Sequence, residues 1–313
     1  MECPVCHGVM RSLFLKDGYE ILGCEGCGHR SADIGDRPGH VARVYGDEYF
    51  EGGGAGYGDY LAEREILRKH GRRYGRLLQK YMPAGTVLDV GAAAGFILQG
   101  LTDAGWRGRG IEPNSRMSEH ARTRLGLRVD TGSLETFRTG ERFDLVTLIQ
   151  VVAHFADLRQ AFQVASGITR PGGFWLIETW NRGSWTARIF GRHWHEYSPP
   201  SVLHWFTPAT LRDLAAQFGF QEVARGRPAK WLNGAHAVSL LTHKLGGGRL
   251  MRGAGKVIPK SIPLLYPGDD LFWMLLRKSE VTREGLLQRL RDHDRVELGE
   301  SVAEAVAAER EGR

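Results

Sequence analysis

A chain of 313 residues, 42% of them hydrophobic and 25% charged, is long enough to bury one large core with small additions. It shows no charged-then-apolar leader and no apolar run of roughly 18 residues, which argues against a membrane-spanning helix and predicts a soluble, cytoplasmic protein. The net charge of +6 is uneven: residues 226–278 carry nine basic and two acidic side chains, against five and six in 1–44 and six and nine in 279–313.

All four cysteines come first, as Cys3-Pro-Val-Cys6 and Cys24-Glu-Gly-Cys27. Two C-x-x-C pairs separated by 17 residues match a tetrahedral zinc site built from two knuckles. Gly8, Gly26 and Gly28 supply tight turns, and Arg11 to Leu22 reads as a small hairpin. Four thiolates leave no open position, so such a zinc is structural; two disulfides are the alternative, though nothing suggests secretion. The spacing predicts a zinc ribbon over 1–40. The ribbon has no surplus of Lys and Arg, which disfavours a grip on nucleic acid.

Tyr45, Tyr49, Phe50, Tyr57 and Tyr60 then surround the glycine-rich stretch 51–57. Arg64, Arg68, Lys69, Arg72, Arg73 and Arg76 form the solvated face of a helix whose Leu67, Tyr74, Leu77, Leu78 and Tyr81 face inward. The strand Val87-Leu88-Asp89-Val90 runs into Gly91-Ala92-Ala93-Ala94-Gly95, and a helix follows from Phe96. Small residues let the backbone approach a ligand, and the free N–H groups of the helix point at it. A second strand ends in Glu112, 23 residues past Asp89, where nucleotide-binding βαβ units place an acid for ribose.

Strands over 86–90, 108–112, 127–130, 143–149, 173–178, 220–225 and 270–278, with helices between most of them, predict an α/β fold: a parallel sheet covered on both faces. Ligands bind beyond the carboxyl ends of such strands, which sets Asp89, Glu112, Gln150 and Glu178 along one rim. The body is expected to span 41–278, with a basic insertion over 226–268. That insertion suits an anionic partner, or membrane-surface contact through 244–268. The tail, 279–313, reads as a charged helix that docks on the body or on a twin subunit.

The pattern Asp89-x-Gly91-x-x-x-Gly95 is not the G-x-G-x-x-G dinucleotide fingerprint. It resembles the first motif of class I S-adenosylmethionine-dependent methyltransferases, with Ala93 in place of the middle glycine. The strand 143–149 followed by Gln150 to Phe155, and Arg170-Pro171-Gly172-Gly173 before Phe174, are similar to later motifs of that family in the same order. The resemblance implies a Rossmann-like, mostly parallel seven-stranded sheet with its last strand antiparallel, and S-adenosylmethionine as cofactor. It implies Asp89, Gly91 and Gly95 around the methionine part and Glu112 on the ribose, with Ala93, Phe96 and Gln150 also binding the cofactor. Ser133 and Leu134 fall in the adenine loop, and Tyr49 in a lid. A second resemblance runs from Glu178-Thr-Trp-Asn181 through Phe190–Trp194 to Pro199-Pro200 and His204–Pro208. It is similar to the branch met in sugar methylation and in polysaccharide or natural-product biosynthesis, several members of which carry an N-terminal cysteine-rich module. Val202 stands where that branch often has a histidine.

Methyl transfer from a sulfonium is an in-line displacement, so collinear positioning supplies much of the rate. A hydroxyl or enolisable carbon must also lose a proton to a base with a pKa near 7, which histidine fits best. The candidates are His154 and His195, with His193 and His204 in the same aromatic stretch and Glu178 or Tyr197 as helpers. The function expected is methyl transfer to oxygen or carbon of a glycosyl or related small acceptor, anionic or lipid-linked acceptors included. No Asn-Pro-Pro-Tyr-type motif for planar amino groups follows the fourth strand. An RNA methyltransferase and an inactive scaffold are the rival readings.

Overall fold

The computed structural model describes residues 1–35, 39–50, 60–229, 231–233, 263–265 and 269–280, of which 231–233 and 263–265 are backbone only. The chain divides into two units, Met1–Lys278 and Ser279–Arg313. The expected tail helix, Tyr57 and the membrane-contact stretch 244–268, apart from the backbone of 263–265, lie outside the described residues.

The chain opens with β1 (Met10–Lys16), β2 (Tyr19–Cys24) and β3 (Arg30–Asp33), followed by the short helices α1 (His40–Val44) and α2 (Asp47–Phe50). Helix α3 (Arg64–Leu78) leads into β4 (Thr86–Val90), α4 (Phe96–Asp103), β5 (Arg107–Glu112), α5 (Ser115–Leu125) and β6 (Val129–Thr131). Then come β7 (Phe143–Ile149), α6 (Leu158–Ile168), β8 (Thr169–Trp180), α7 (Trp185–Phe190), β9 (His204–Trp205), α8 (Pro208–Ala216) and β10 (Phe220–Gly226). A short antiparallel pair, β11 (Trp231–Asn233) with β12 (Pro263–Leu265), lies in the basic stretch, and β13 (Leu271–Lys278) closes the unit.

Seven strands form one sheet in the order β10-β13-β8-β7-β4-β5-β6. Neighbours from β8 to β6 are parallel, whereas β13 runs antiparallel to both β8 and β10. The sheet alternates as strand geometry requires. Leu88, Val90, Val146 and Leu148 face Phe162 of α6 and Leu211 of α8, while Val87, Leu145 and Leu176 face Tyr74 of α3 and Leu98 of α4. Chain order reverses at β4, with β5 on one side and β7 on the other, which opens a crevice at the carboxyl end of β4. No helix among the described residues is long and apolar enough to cross a membrane.

Two local expectations are corrected. Tyr81 lies beyond the end of α3 and is 38% exposed rather than inward-facing. Arg170-Pro171-Gly172-Gly173 sits inside β8 instead of preceding it: Thr169 already pairs with Phe143, and the register shifts before Phe174 meets Leu145. Gly172, at φ 72°, takes up the irregularity that the proline introduces.

Helices α3 and α4 cross with glycine against glycine. A Cβ on Gly100 would lie 2.2 Å from the Arg68 carbonyl oxygen, and one on Gly71 would lie 2.2 Å from that of Ile97. Both obstacles are backbone, so the helices would have to part. Gly100→Ala is expected to lower unfolding free energy by about 2–4 kcal/mol, read by denaturant titration. The control Gly140→Ala, which meets nothing within 4 Å, should stay within about 0.5 kcal/mol.

The cysteine-bearing strands are built into the body. Asp17 and Gly18, at φ 49° and 84°, make the tight turn of the β1–β2 hairpin. Strand β3 pairs with β2 on one side and with β9 on the other, Ser31 opposite His204. Ile21 and Ala32 share a core with Ala153, Trp194, Tyr197, Leu203 and Trp205. Arg159 and Gln217 of the body donate to the Pro4 and Val5 carbonyls.

Candidate active site

The crevice at the end of β4 is lined by a loop that only small residues could make. Gly91, Ala93 and Gly95 have φ of 67°, 46° and 84°. A Cβ on Gly91 would lie 2.8 Å from Val151, and one on Gly95 would lie 2.7 Å from Leu127 and 3.0 Å from Ala121. Ala93 adopts a left-handed conformation that costs an L residue roughly 1 kcal/mol, so the alanine is tolerated at a price in strain.

Two buried carboxylates edge this loop. Asp89 accepts a 2.6 Å hydrogen bond from Thr147 Oγ1, and burial pushes its pKa up to about 7 against the pull of that hydroxyl. Glu112 accepts one backbone N–H on each oxygen, from Ala93 at 2.8 Å and Asn114 at 2.8 Å, so it shapes the loop it edges. Burial also raises Glu112 to about 7, with the two N–H groups pulling the other way. Asn114 caps α5 through the Met117 N–H and also donates to the Tyr45 carbonyl and the Asp47 carboxylate. It thereby ties the aromatic segment down over the loop.

Raised carboxylate pKa values have a definite sign. The folded protein keeps two protons that the unfolded chain has already released, so these groups cost stability as pH climbs from about 4 to about 7, and no further above that. The thermal midpoint of wild type minus that of Asp89→Asn should fall through this window. Affinity for a cationic ligand should rise through it, as the carboxylates ionise. A flat difference would contradict the assignment.

One unbroken line of rings joins the loop to the base candidate. Phe96 stacks on Tyr60 with centroids 5.8 Å apart, followed by Tyr60–Phe50 at 5.6 Å, Phe50–Tyr49 at 5.2 Å, Tyr49–Tyr45 at 5.2 Å and Tyr45–His154 at 5.8 Å. The Ser201 carbonyl accepts from His154 Nδ1 at 2.6 Å and from the Tyr45 hydroxyl at 2.7 Å. A carbonyl can only accept, so Nδ1 carries the proton and the neutral ring keeps its lone pair on Nε2. Burial lowers the His154 pKa below the usual imidazole value, opposed by the Ser201 carbonyl, the Glu196 charge and the Gln150 backbone.

The other candidates fall in different places. His195 lies edge-on to Trp180 at 4.9 Å, and neither of its buried ring nitrogens has a hydrogen-bond partner among the described residues; the Glu196 carboxylate stands 3.1 Å from Nε2, out of line. Glu178 is 2% exposed and accepts from His70 Nε2 at 2.9 Å, the Tyr74 hydroxyl and the Gln150 amide at 2.8 Å. That knot binds α3 to the sheet and turns the Gln150 side chain toward Glu178; Gln150 itself sits at φ 58°. Leu134 is buried and Ser133 Oγ meets Thr136 Oγ1 at 3.3 Å. His193 is exposed. His204 is spent at the cysteine module: Nε2 donates to the Phe155 carbonyl at 3.1 Å, which leaves Nδ1 to accept from Ser31. Thr147, Asn114, Glu196 and the buried His40, whose Nε2 has no partner among the described residues, escaped sequence reasoning. Isolated polar residues carry no periodic signal.

The four cysteine Sγ atoms lie within 4.8 Å of one another, so they could hold one metal ion. Gly8 borders Cys6 and Cys24 where a Cβ would crowd the sulfurs at 3.3–3.4 Å, whereas one on Gly26 would meet them at ordinary contact, 3.6–3.8 Å. Burial holds the Cys3 thiol up at about 11, so a cation is what would make a thiolate of it.

A family model for the methyltransferase domain matches residues 59–224. Over 170 residues the chain is 31% identical to a ubiquinone biosynthesis O-methyltransferase of Methylobacterium sp. (strain 4-46), covering 52% of this chain and 65% of that protein. A protein of the same description from Azorhizobium caulinodans is 28% identical over 170 residues, 50% of this chain and 67% of that one. The chain thus spans about two thirds of the length of these relatives. A SAM-dependent methyltransferase structure from Archaeoglobus fulgidus gives a TM-score of 0.48 at 18% identity, covering 69% of this chain and 94% of that chain.

Proposed function

Since this chain belongs to the methyltransferase-domain family, we propose that it moves a methyl group from S-adenosylmethionine to an oxygen or carbon of a small acceptor. Oxygen is favoured by the relatives, which are O-methyltransferases by name. The observation that carries the reading is the ring line from Phe96 to His154, which sets a neutral imidazole at the far end of the wall that starts at the glycine loop.

The loop fits the cofactor in chemistry as well as shape. Its backbone is left-handed where a ligand must come close, and both edging groups are carboxylates, suited to a cation and to ribose hydroxyls. When bound, S-adenosylmethionine supplies a methyl group on a cationic sulfur. Asp89, Gly91, Ala93, Gly95 and Phe96 would hold the methionine part, Glu112 the ribose, Ser133 and Leu134 the adenine, and Tyr49 would cover the whole. His154 Nε2 accepts the acceptor's proton while the Ser201 carbonyl holds Nδ1–H and so fixes the tautomer. His195 offers one donor and one acceptor to a second acceptor hydroxyl. Trp180 beside it supplies an apolar wall of the kind that packs on a sugar or a planar ring, which supports a glycosyl or related acceptor. Glu178 anchors Gln150 and α3 rather than presenting a free oxygen.

The four cysteines would hold a zinc ion, with structure rather than chemistry as its role. A cytoplasmic location and an association through 279–313 complete the proposal. The test is incubation of the full chain with methyl-labelled S-adenosylmethionine and three acceptor sets: glycosyl metabolites, small phenols and bulk RNA. Label on a small acceptor is the expected result, and label confined to RNA would overturn it.

A further inference from the structure

Helix α7 turns an apolar and basic face to solvent. Trp185 is 70% exposed and Ile189 is 76% exposed, one turn apart on the same face. The Arg188 guanidinium lies 5.7 Å from the centre of the Trp185 ring, and Arg192 and His193 are exposed just beyond the helix. No acidic residue occurs between Asn181 and His195.

This face is held rigid from beneath. Ser184 caps the helix by accepting from the Ala187 N–H. Asp269 accepts from the Trp185 N–H at 2.9 Å, the Thr186 N–H at 3.0 Å and the Thr186 hydroxyl at 2.7 Å. The Asp269 carboxylate is thus committed to the first turn of α7. A loop that merely tolerated an exposed tryptophan would need no such anchoring. The next residue along the chain, Trp194, is fully buried with its indole N–H on Asp270 at 2.8 Å, and His195 follows it. The exposed face thus continues directly into the segment that carries the acceptor-side histidine.

We propose that the Trp185–His193 face docks on an anionic lipid surface. The indole and the Ile189 side chain enter the interfacial layer, and Arg188 and Arg192 lie against headgroup phosphates. Tryptophan favours that layer because one edge is apolar and the other donates a hydrogen bond. Each juxtamembrane cation adds to the attraction of a negative surface. The charge on this face selects the occupant: a neutral protein groove would not need the two arginines, and an anionic bilayer matches them. Methyl transfer plays no part in the argument, so binding can be read without turnover.

The test is co-sedimentation of the full chain with vesicles of phosphatidylcholine mixed with phosphatidylglycerol, beside pure phosphatidylcholine. The wild type should sediment with the anionic vesicles only and be released by salt. Trp185→Ser with Ile189→Ser should weaken partitioning by about tenfold or more, and Arg188→Gln with Arg192→Gln by about tenfold with a shallower salt dependence. All four side chains are exposed, so far-UV dichroism and thermal midpoint should match wild type; the arginine pair carries the test if the apolar pair fails to fold. Partitioning undiminished in both variants would assign the binding elsewhere in the chain and overturn the proposal. So would a wild type that ignores vesicles, or a dimer that the Trp185→Ser, Ile189→Ser variant dissolves without any vesicle binding.

Discussion

Replacing His154 by alanine is expected to lower kcat by ~10²–10⁴-fold, the usual worth of a positioned general base, while the Kd for S-adenosylmethionine stays within about threefold. The imidazole touches Tyr45 and the Ser201 carbonyl rather than the glycine loop, which is why turnover and cofactor binding should separate. His154→Gln controls for structure: its amide keeps an N–H for Ser201 but offers no basic nitrogen, so it should lose as much rate as alanine. At saturating S-adenosylmethionine, the acid limb of kcat should lie below the ordinary imidazole value, because burial lowers the His154 pKa. Wild-type turnover in either variant would remove His154 from the mechanism.

The second large effect concerns the cysteines. Chelation of metal-replete protein, or Cys24→Ser, is expected to lower unfolding free energy by at least about 3 kcal/mol, a modest part of what a structural zinc site supplies. The loss should concentrate on the acceptor side. Strand β3 holds β9 through Ser31 and Arg30, and the Ala32 N–H donates to Leu203 at 2.9 Å. The Leu203 N–H in turn donates to Ala153 at 2.8 Å, next to His154, while Arg182 donates to the Gly28 carbonyl. Acceptor KM should therefore rise before cofactor Kd does. Equal loss of both, or no loss, would mean that the module does not buttress the acceptor segment.

What could be read from the sequence was what depends on neighbours along the chain. The Asp89-to-Gly95 loop follows from adjacent small residues, the hairpin over 11–22 from the spacing between the cysteine pairs, and the seven sheet strands from apolar runs set between helices. Three things were hidden, each for a physical reason. The β3–β9 pairing joins residues more than 170 positions apart and leaves no local pattern. Two partners of Glu178, His70 and Tyr74, come from α3, over 100 residues earlier, so a rim carboxylate that looked available is occupied. The proline-glycine-glycine run reads as a turn, yet cross-strand pairing on both sides makes it an irregularity within β8. Ala93 is a middle case: its identity was plain, but the left-handed backbone that strains it emerges only from the folded loop.

The central claim is that the glycine loop with its two carboxylates binds a sulfonium nucleoside. Calorimetric titration of the full, metal-replete chain with S-adenosylmethionine tests it most directly. The account predicts saturable heat in the wild type and affinity weaker by about tenfold or more in Asp89→Asn. No heat in the wild type, or the same Kd in Asp89→Asn, would contradict it.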